Sequence, residues 1–274
     1  MDITANYKVF DDDNCTMKAI MVIGYGSSMP YAADTVRKQA ERLAARRGER
    51  VYTAFHRADE PLIADAMRKA AEDGVDELLV IPYFIADGTI TKEYLPREIG
   101  LEGYGDGVAE VEGRRISVRF GRAVGSDPGV ADVVLRTIEA NGGDAEKTGI
   151  LIVGHGSEDR SNSETVESVA AAVASKGYKV FVGYNEFCGP TIEESFHKAL
   201  EVSEDRVIVV PMFIACGLHL KEEIPQKIGL GKNSRGGIIH RNGKAVEIRY
   251  ASAVGEDPYM ADVMAAEAER VFGR

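Results

Sequence analysis

Three side chains in the second half of this sequence have the types and placement to handle a divalent metal ion. His155 lies in "IVGHGSE", Glu186 stands four residues before Pro190, and His219 lies in "ACGLHLKEEIP". Each follows a short apolar run at once or within a few residues: "ILIV", "KVFVGYN" and "VIVVPMF". Two imidazoles and a carboxylate form an N/O donor set that suits Co2+, Ni2+ or Fe2+. Imidazole also titrates near neutrality, so the same groups could accept protons.

An internal repeat singles these residues out. "VIGYGSS" pairs with "IVGHGSE", "IPYFIADGTITKEYLPREIGL" with "VPMFIACGLHLKEEIPQKIGL", and "AVGSDPGVADVV" with "AVGEDPYMADVM". The offset is 130 from Tyr25 to His155, 129 from Pro82 to Pro211 and 130 from Gly125 to Gly255. So constant an offset means a tandem duplication, with halves 1–145 and 146–274 joined near "EANGGDAEKTG", whose Gly, Asn and charged residues read as a surface connection. Position by position, His155 matches Tyr25, Glu186 matches Arg57 and His219 matches Ile90. The scaffold around them persists in both copies: Gly24, Gly26, Ser27, Pro61, Pro82, Phe84, Gly88, Lys92, Glu93 and Pro96. The first copy is therefore expected to keep the fold and to have lost the donors.

The elements that must position these residues follow from periodicity. "KAIMVIGYGS" and "TGILIVGHGS" read as strands buried on both faces of a parallel sheet. "ADTVRKQAERLAARRG" and "SNSETVESVAAAVASKG" read as helices ending on a glycine, the second opened by Ser and Asn caps. A strand, a helix opened by Pro61 or Pro190, and a third strand follow in each half. The rhythm predicts an α/β fold of two similar doubly wound parallel-sheet halves. A hairpin is expected late in each half, with Asn242-Gly243 as a type I′ turn. In such sheets ligands bind beyond the carboxyl ends of the strands, where all three candidates stand.

Composition bounds the partners. The 274 residues carry a net charge of −11, against nucleic acid as a partner. Cys15, Cys188 and Cys216 leave one thiol over and show no CxxC spacing, which favours a reducing compartment. With no leader-like N-terminus and no apolar run approaching a membrane span, a cytoplasmic protein away from membranes is expected. His56, His197 and His240 lack a supporting pattern and read as surface or hairpin residues, and Cys188 and Cys216 as small buried thiols. A serine hydrolase built on "HGS" has no GxSxG elbow to support it.

"GHGSEDRSN", a glutamate four residues before a helix-opening proline, and "VPMFIACGLHLKEEIP" together resemble the sirohydrochlorin cobaltochelatase family, ATP-independent chelatases that insert a divalent metal into a tetrapyrrole. The resemblance covers both halves and looks like the fused, double-length form. It implies a chelatase reaction with His155, Glu186 and His219 as metal-handling catalytic residues, Co2+ ahead of Ni2+ and Fe2+, sirohydrochlorin or a relative as partner, and a monomer or weak homodimer. The macrocycle's carboxylates would then be met by cations such as Arg57, Arg160, Lys92 and Lys221 and by the N–H groups of Gly156 and Ser157. Ferrochelatases, similar in fold, include some with a Tyr-Gly loop in the first half. Tyr25 in "GYGSS" is thus either near the metal or part of the cleft wall. A tetrapyrrole or metal carrier that performs no insertion would use the same histidines.

Overall fold

The first strand, β1 (Lys18–Gly24), is apolar and almost wholly buried, as a central parallel strand must be when helices cover both sheet faces. The computed structural model describes residues 16–27, 30–241 and 243–273. After β1 come α1 (Pro30–Arg47), β2 (Arg50–Phe55), α2 (Ile63–Glu72), β3 (Glu77–Pro82), α3 (Leu95–Ile99), β4 (Gly107–Val111), β5 (Arg114–Phe120) and α4 (Val130–Ala140). The second half repeats the series: β6 (Thr148–Gly154), α5 (Ser161–Ala174), β7 (Lys179–Tyr184), α6 (Ile192–Val202), β8 (Arg206–Pro211), α7 (Ile224–Lys227), β9 (Gly236–Arg241), β10 (Lys244–Tyr250) and α8 (Met260–Phe272). The sheets run β2-β1-β3-β5-β4 and β7-β6-β8-β10-β9.

The expected α/β architecture is present, the late hairpins included, with two local differences at helix starts. The outermost strands β4 and β9 are antiparallel to β5 and β10, so each sheet is parallel with one reversed edge. Arg241 pairs with Lys244 across the second hairpin and Gly243 has φ +77°; Asn242, like Cys15, lies outside the described residues. Pro61 and Pro190 stand ahead of their helices, which begin at Ile63 and Ile192, and Thr191 caps α6 through a reciprocal pair with Glu194. Nor do Ser161 and Asn162 cap α5. Its N-terminal neighbour is Arg160 at φ 62°, and Asn162 turns its side chain to the Gly156 N–H.

One face of each sheet builds its own core: Met67, Leu95 and Ile116 in the first half, Phe196, Ile224 and Ile248 in the second. The other faces share a single core, and here the last helices change sides. α4 packs on α5 and β8 of the second half, whereas α8 packs on α1 and β3 of the first. Polar groups fasten the exchange. Gln39 Nε2 donates to the carbonyls of Gly255 and Asp257, Tyr83 Oη donates to Gly255 O at 2.7 Å, and Arg46 grips Asp262 with two bonds of 2.6 and 3.0 Å. Among the described residues no helix is long and apolar enough to cross a membrane.

Candidate functional site

β6 ends at Gly154 and delivers His155 to the carboxyl edge of the sheet. Beyond the strand end the backbone ladder continues: Asn185 N donates to Gly154 O and Glu186 N to His155 O, at 3.0 and 2.9 Å. Gly156, at φ +88°, presses against this segment so closely that a Cβ would stand 2.0 Å from Glu186 O. His155 and Glu186 are thus held side by side by backbone rather than by their own side chains. His219 opens a π-helical turn, His219–Glu223, a deviation that often accompanies functional sites.

The three predicted donors do come together. One ligand atom from each of His155, Glu186 and His219 lies within 4.8 Å of the others. Metal bonds of about 2.1 Å put neighbouring ligands of a tetrahedral site about 3.4 Å apart, so the side chains must draw together by roughly an ångström to grip an ion. The imidazoles meet edge to face at 5.3 Å and 86°, and Phe187 stacks on His155 at 5.7 Å. Both histidines are half-buried and Glu186 is exposed, which leaves the cluster open to an incoming partner. His155 Nδ1 lies 3.3 Å from Gly156 O, an acceptor only, so in the neutral ring this contact favours the tautomer with its proton on Nδ1 and a bare Nε2.

A second group was not singled out from sequence. Glu223 Oε2 lies 2.6 Å from His219 Nδ1, the Asn185 amide reaches the same carboxylate, and Lys227 Nζ binds Asn185 through both its Oδ1 and its backbone carbonyl. The hydrogen bond from His219 is the main reason the Glu223 carboxyl is held below its ordinary range. Its signal was the i, i+4 spacing of His219 and Glu223 in "HLKEE".

At the matching edge of the first sheet the scaffold is the same and the donor side chains are replaced. Arg57 N donates to Tyr25 O, a Cβ on Gly26 would clash with Arg57 O at 1.6 Å, and a second π-turn spans Ile90–Tyr94. Yet the Arg57 guanidinium lies 4.3 Å over the Tyr25 ring, with Phe84 and His56 against that ring. His56, expected at the surface, is half-buried between Tyr25 and Tyr94, its Nδ1 2.7 Å from Glu98 Oε1. His197 and His240 are exposed, as expected.

The expected carboxylate receptors separate into two groups. The Gly156 N–H already donates to Asn162 Oδ1 at 2.9 Å, so it is not the free anion site anticipated. Ser157 Oγ accepts from Asn162 N and bonds the Asp159 carboxylate, which also feels the nearby Lys92 charge. Arg160 turns to Glu167, 3.8 Å away. Arg57 on Tyr25 and Lys221, whose Nζ lies 3.9 Å over Tyr31, instead rest on aromatic faces. Cys188 Sγ contacts Ser163 Oγ, and burial pushes the Cys216 thiol up; neither joins the donor cluster.

The CbiX family model matches twice, over residues 19–141 and 149–271. A sirohydrochlorin cobaltochelatase of Methanosarcina acetivorans is 36% identical over 121 residues, covering 43% of this chain and 92% of that protein. A probable sirohydrochlorin cobaltochelatase of Halobacterium salinarum is 26% identical over 271 residues, covering 90% and 89%. A sirohydrochlorin ferrochelatase of Priestia megaterium is 24% identical over 219 residues, covering 77% and 79%. Among solved structures, SirB from Bacillus subtilis with Fe3+ superposes with a TM-score of 0.72 at 20% identity, covering 92% of this chain and 94% of that one, a likeness of fold. With one copy of the unit matched in each half and almost the whole length accounted for, the chain belongs to the CbiX family.

Proposed function

We propose that this chain is a metal chelatase that inserts a divalent ion, Co2+ ahead of Ni2+ and Fe2+, into sirohydrochlorin or a closely related tetrapyrrole without ATP. The observation that carries the reading is the convergence of His155, Glu186 and His219 within 4.8 Å in one half, at positions where the other half has Tyr25, Arg57 and Ile90. Relatives named for cobalt and for iron support the reaction class and leave the choice of metal to experiment.

In this reading residues 146–274 handle the metal and residues 1–145 furnish a wall. The macrocycle lies against exposed apolar side chains of both halves: Phe187, stacked on His155, and Leu218, next to His219 in sequence, from one, and Tyr31, under Lys221, from the other. Its carboxylates meet Arg57 and Lys221, which have no carboxylate partner among the described residues. The ion arrives on Nε2 of the two imidazoles and on the Glu186 carboxylate. As each bond passes to a ring nitrogen a pyrrole proton is released, and the vacated Nε2 atoms are the bases positioned to take both. The charge balances, since one divalent cation enters and two protons leave. The duplicated chain supplies both halves of the cleft, so it works as a monomer or weak homodimer; the cytoplasm suits its unpaired thiols.

An anaerobic insertion assay with Co2+, Ni2+ and Fe2+ in turn tests the proposal. Turnover above the uncatalysed rate with at least one metal is expected. Tight binding of both metal and sirohydrochlorin without turnover would establish a carrier instead.

A further inference from the structure

The far side of His219 is organised in a way that its counterpart, Ile90, has no use for. Glu223 Oε2 lies 2.6 Å from His219 Nδ1, and Asn185 Nδ2 lies 3.4 Å from the same oxygen and 3.3 Å from Nδ1. Lys227 Nζ lies 2.9 Å from Asn185 Oδ1 and 2.9 Å from Asn185 O.

An ammonium only donates, so the atom of Asn185 facing Lys227 is the oxygen, and the NH2 group faces Glu223. The two contacts of Nδ1 ask for opposite tautomers, the 3.3 Å one from the Asn185 NH2 for a bare nitrogen and the 2.6 Å one to Glu223 for a protonated nitrogen, and the shorter, charge-assisted contact decides. An ionised carboxylate only accepts, so Nδ1 of His219 must carry a hydrogen to make its 2.6 Å contact. In the neutral ring that proton is the only one, so Nε2 keeps its lone pair. Had the proton been on Nε2, the bare Nδ1 would face the carboxylate oxygen without a hydrogen between them, and the ring could not accept a cation through Nε2.

The matched positions in the first half argue against a general structural role. Tyr94 stands for Glu223, His56 for Asn185 and Glu98 for Lys227, so all three supporting residues change together with the donors. The His219–Glu223 pair is also solvent-exposed, with side chains 37% and 47% accessible, and exposed pairs of this spacing add little stability.

We propose that Glu223, oriented by Asn185 and Lys227, is a positioning residue that fixes the proton of His219 on Nδ1 and so keeps Nε2 free for the incoming divalent cation. The inference rests on the metal-handling role given to His219 above. Orientation of a metal-binding imidazole by a partner on its other nitrogen changes affinity by about 10–100-fold when the partner is removed.

The test uses the full chain labelled with 15N-histidine, metal-free, at about pH 8, where free imidazole is neutral. The 15N shifts report which nitrogen of His219 is protonated, with His219→Ala identifying the resonance. The expected result is the Nδ1–H form in the wild type, redistribution toward Nε2–H in Glu223→Ala, and about 10–100-fold weaker Co2+ affinity in that variant by titration with the metal alone. An Nε2–H form in the wild type would overturn the proposal without need of a variant, as would an unchanged tautomer in Glu223→Ala. Failure of the underlying reading looks different: Co2+ affinity unaffected by His219→Ala, whatever the tautomer.

Discussion

At the carboxyl edge of one sheet, an arginine lies 4.3 Å over Tyr25; at the same edge of the other, His155 and His219 meet at 5.3 Å with Glu186 beside them. Beneath both, the backbone does the same thing. Gly26 and Gly156 press against the carbonyls of Arg57 and Glu186, and the strand ladder extends one step through Arg57 N to Tyr25 O and Glu186 N to His155 O. The loop is thus held by glycine geometry and main-chain bonds, which no side chain at the donor positions supplies. A copy can exchange every donor without loosening its loop, and that freedom explains how the two halves differ at the donor positions while sharing one scaffold.

The sharpest way to break this comparison is to treat the two edges alike. His155→Ala should lower insertion by about 10²–10⁴-fold, the range expected for loss of a proton-handling group, and should weaken Co2+ binding by titration calorimetry. Tyr25→Ala should leave Co2+ affinity intact and raise the KM for the tetrapyrrole, because the Arg57 guanidinium loses the ring beneath it. Equal loss of metal binding in both variants would mean that the first half also supplies a ligand.

The exchange of last helices sets the next expectation. Val130, Val133, Val134 and Ile138 of α4 are fully buried in the shared core. Burying each contributes about 1.5–3 kcal/mol, so together they rival a whole domain's net stability of about 5–15 kcal/mol. A fragment of residues 146–274 lacks α4, and the helix it does carry, α8, has lost its seat on α1 and β3. It should unfold or self-associate, with each copy lending α8 to the other. A stable folded monomer in the ultracentrifuge would refute the exchange.

Such an exchange is invisible to periodicity, because an amphipathic helix shows that it has a buried face and not whose sheet it covers. The duplication, the strand and helix rhythm and the donor trio were legible because each is local or repeats at a fixed offset. Asn185, Glu223 and Lys227 were not, since a polar residue near a strand end looks the same in sequence whether it faces water or orients an imidazole. The Gly156 N–H was misread for a related reason: Asn162 appeared to be a helix cap, and only the left-handed turn at Arg160 sends its side chain back to that group.

The smallest expected effect lies at the seam between the halves. Tyr83 is buried, and its phenol, pushed far up by desolvation, stays protonated and donates to Gly255 O at 2.7 Å. Its counterpart in the second half is Met212, so this bond has no twin across the pseudo-symmetric seam. Gly255 O also accepts from Gln39 Nε2, so Tyr83→Phe removes a donor without orphaning the carbonyl. The cost should be about 1 kcal/mol, seen as a Tm lower by about 2–4 °C, with Co2+ affinity unchanged. The opposite pattern, an unchanged Tm with weakened Co2+ binding, would show that the asymmetry of the seam serves the donor cluster rather than the packing of the two halves. The division between a scaffold common to both halves and a donor cluster confined to one would then have to be redrawn to include Tyr83.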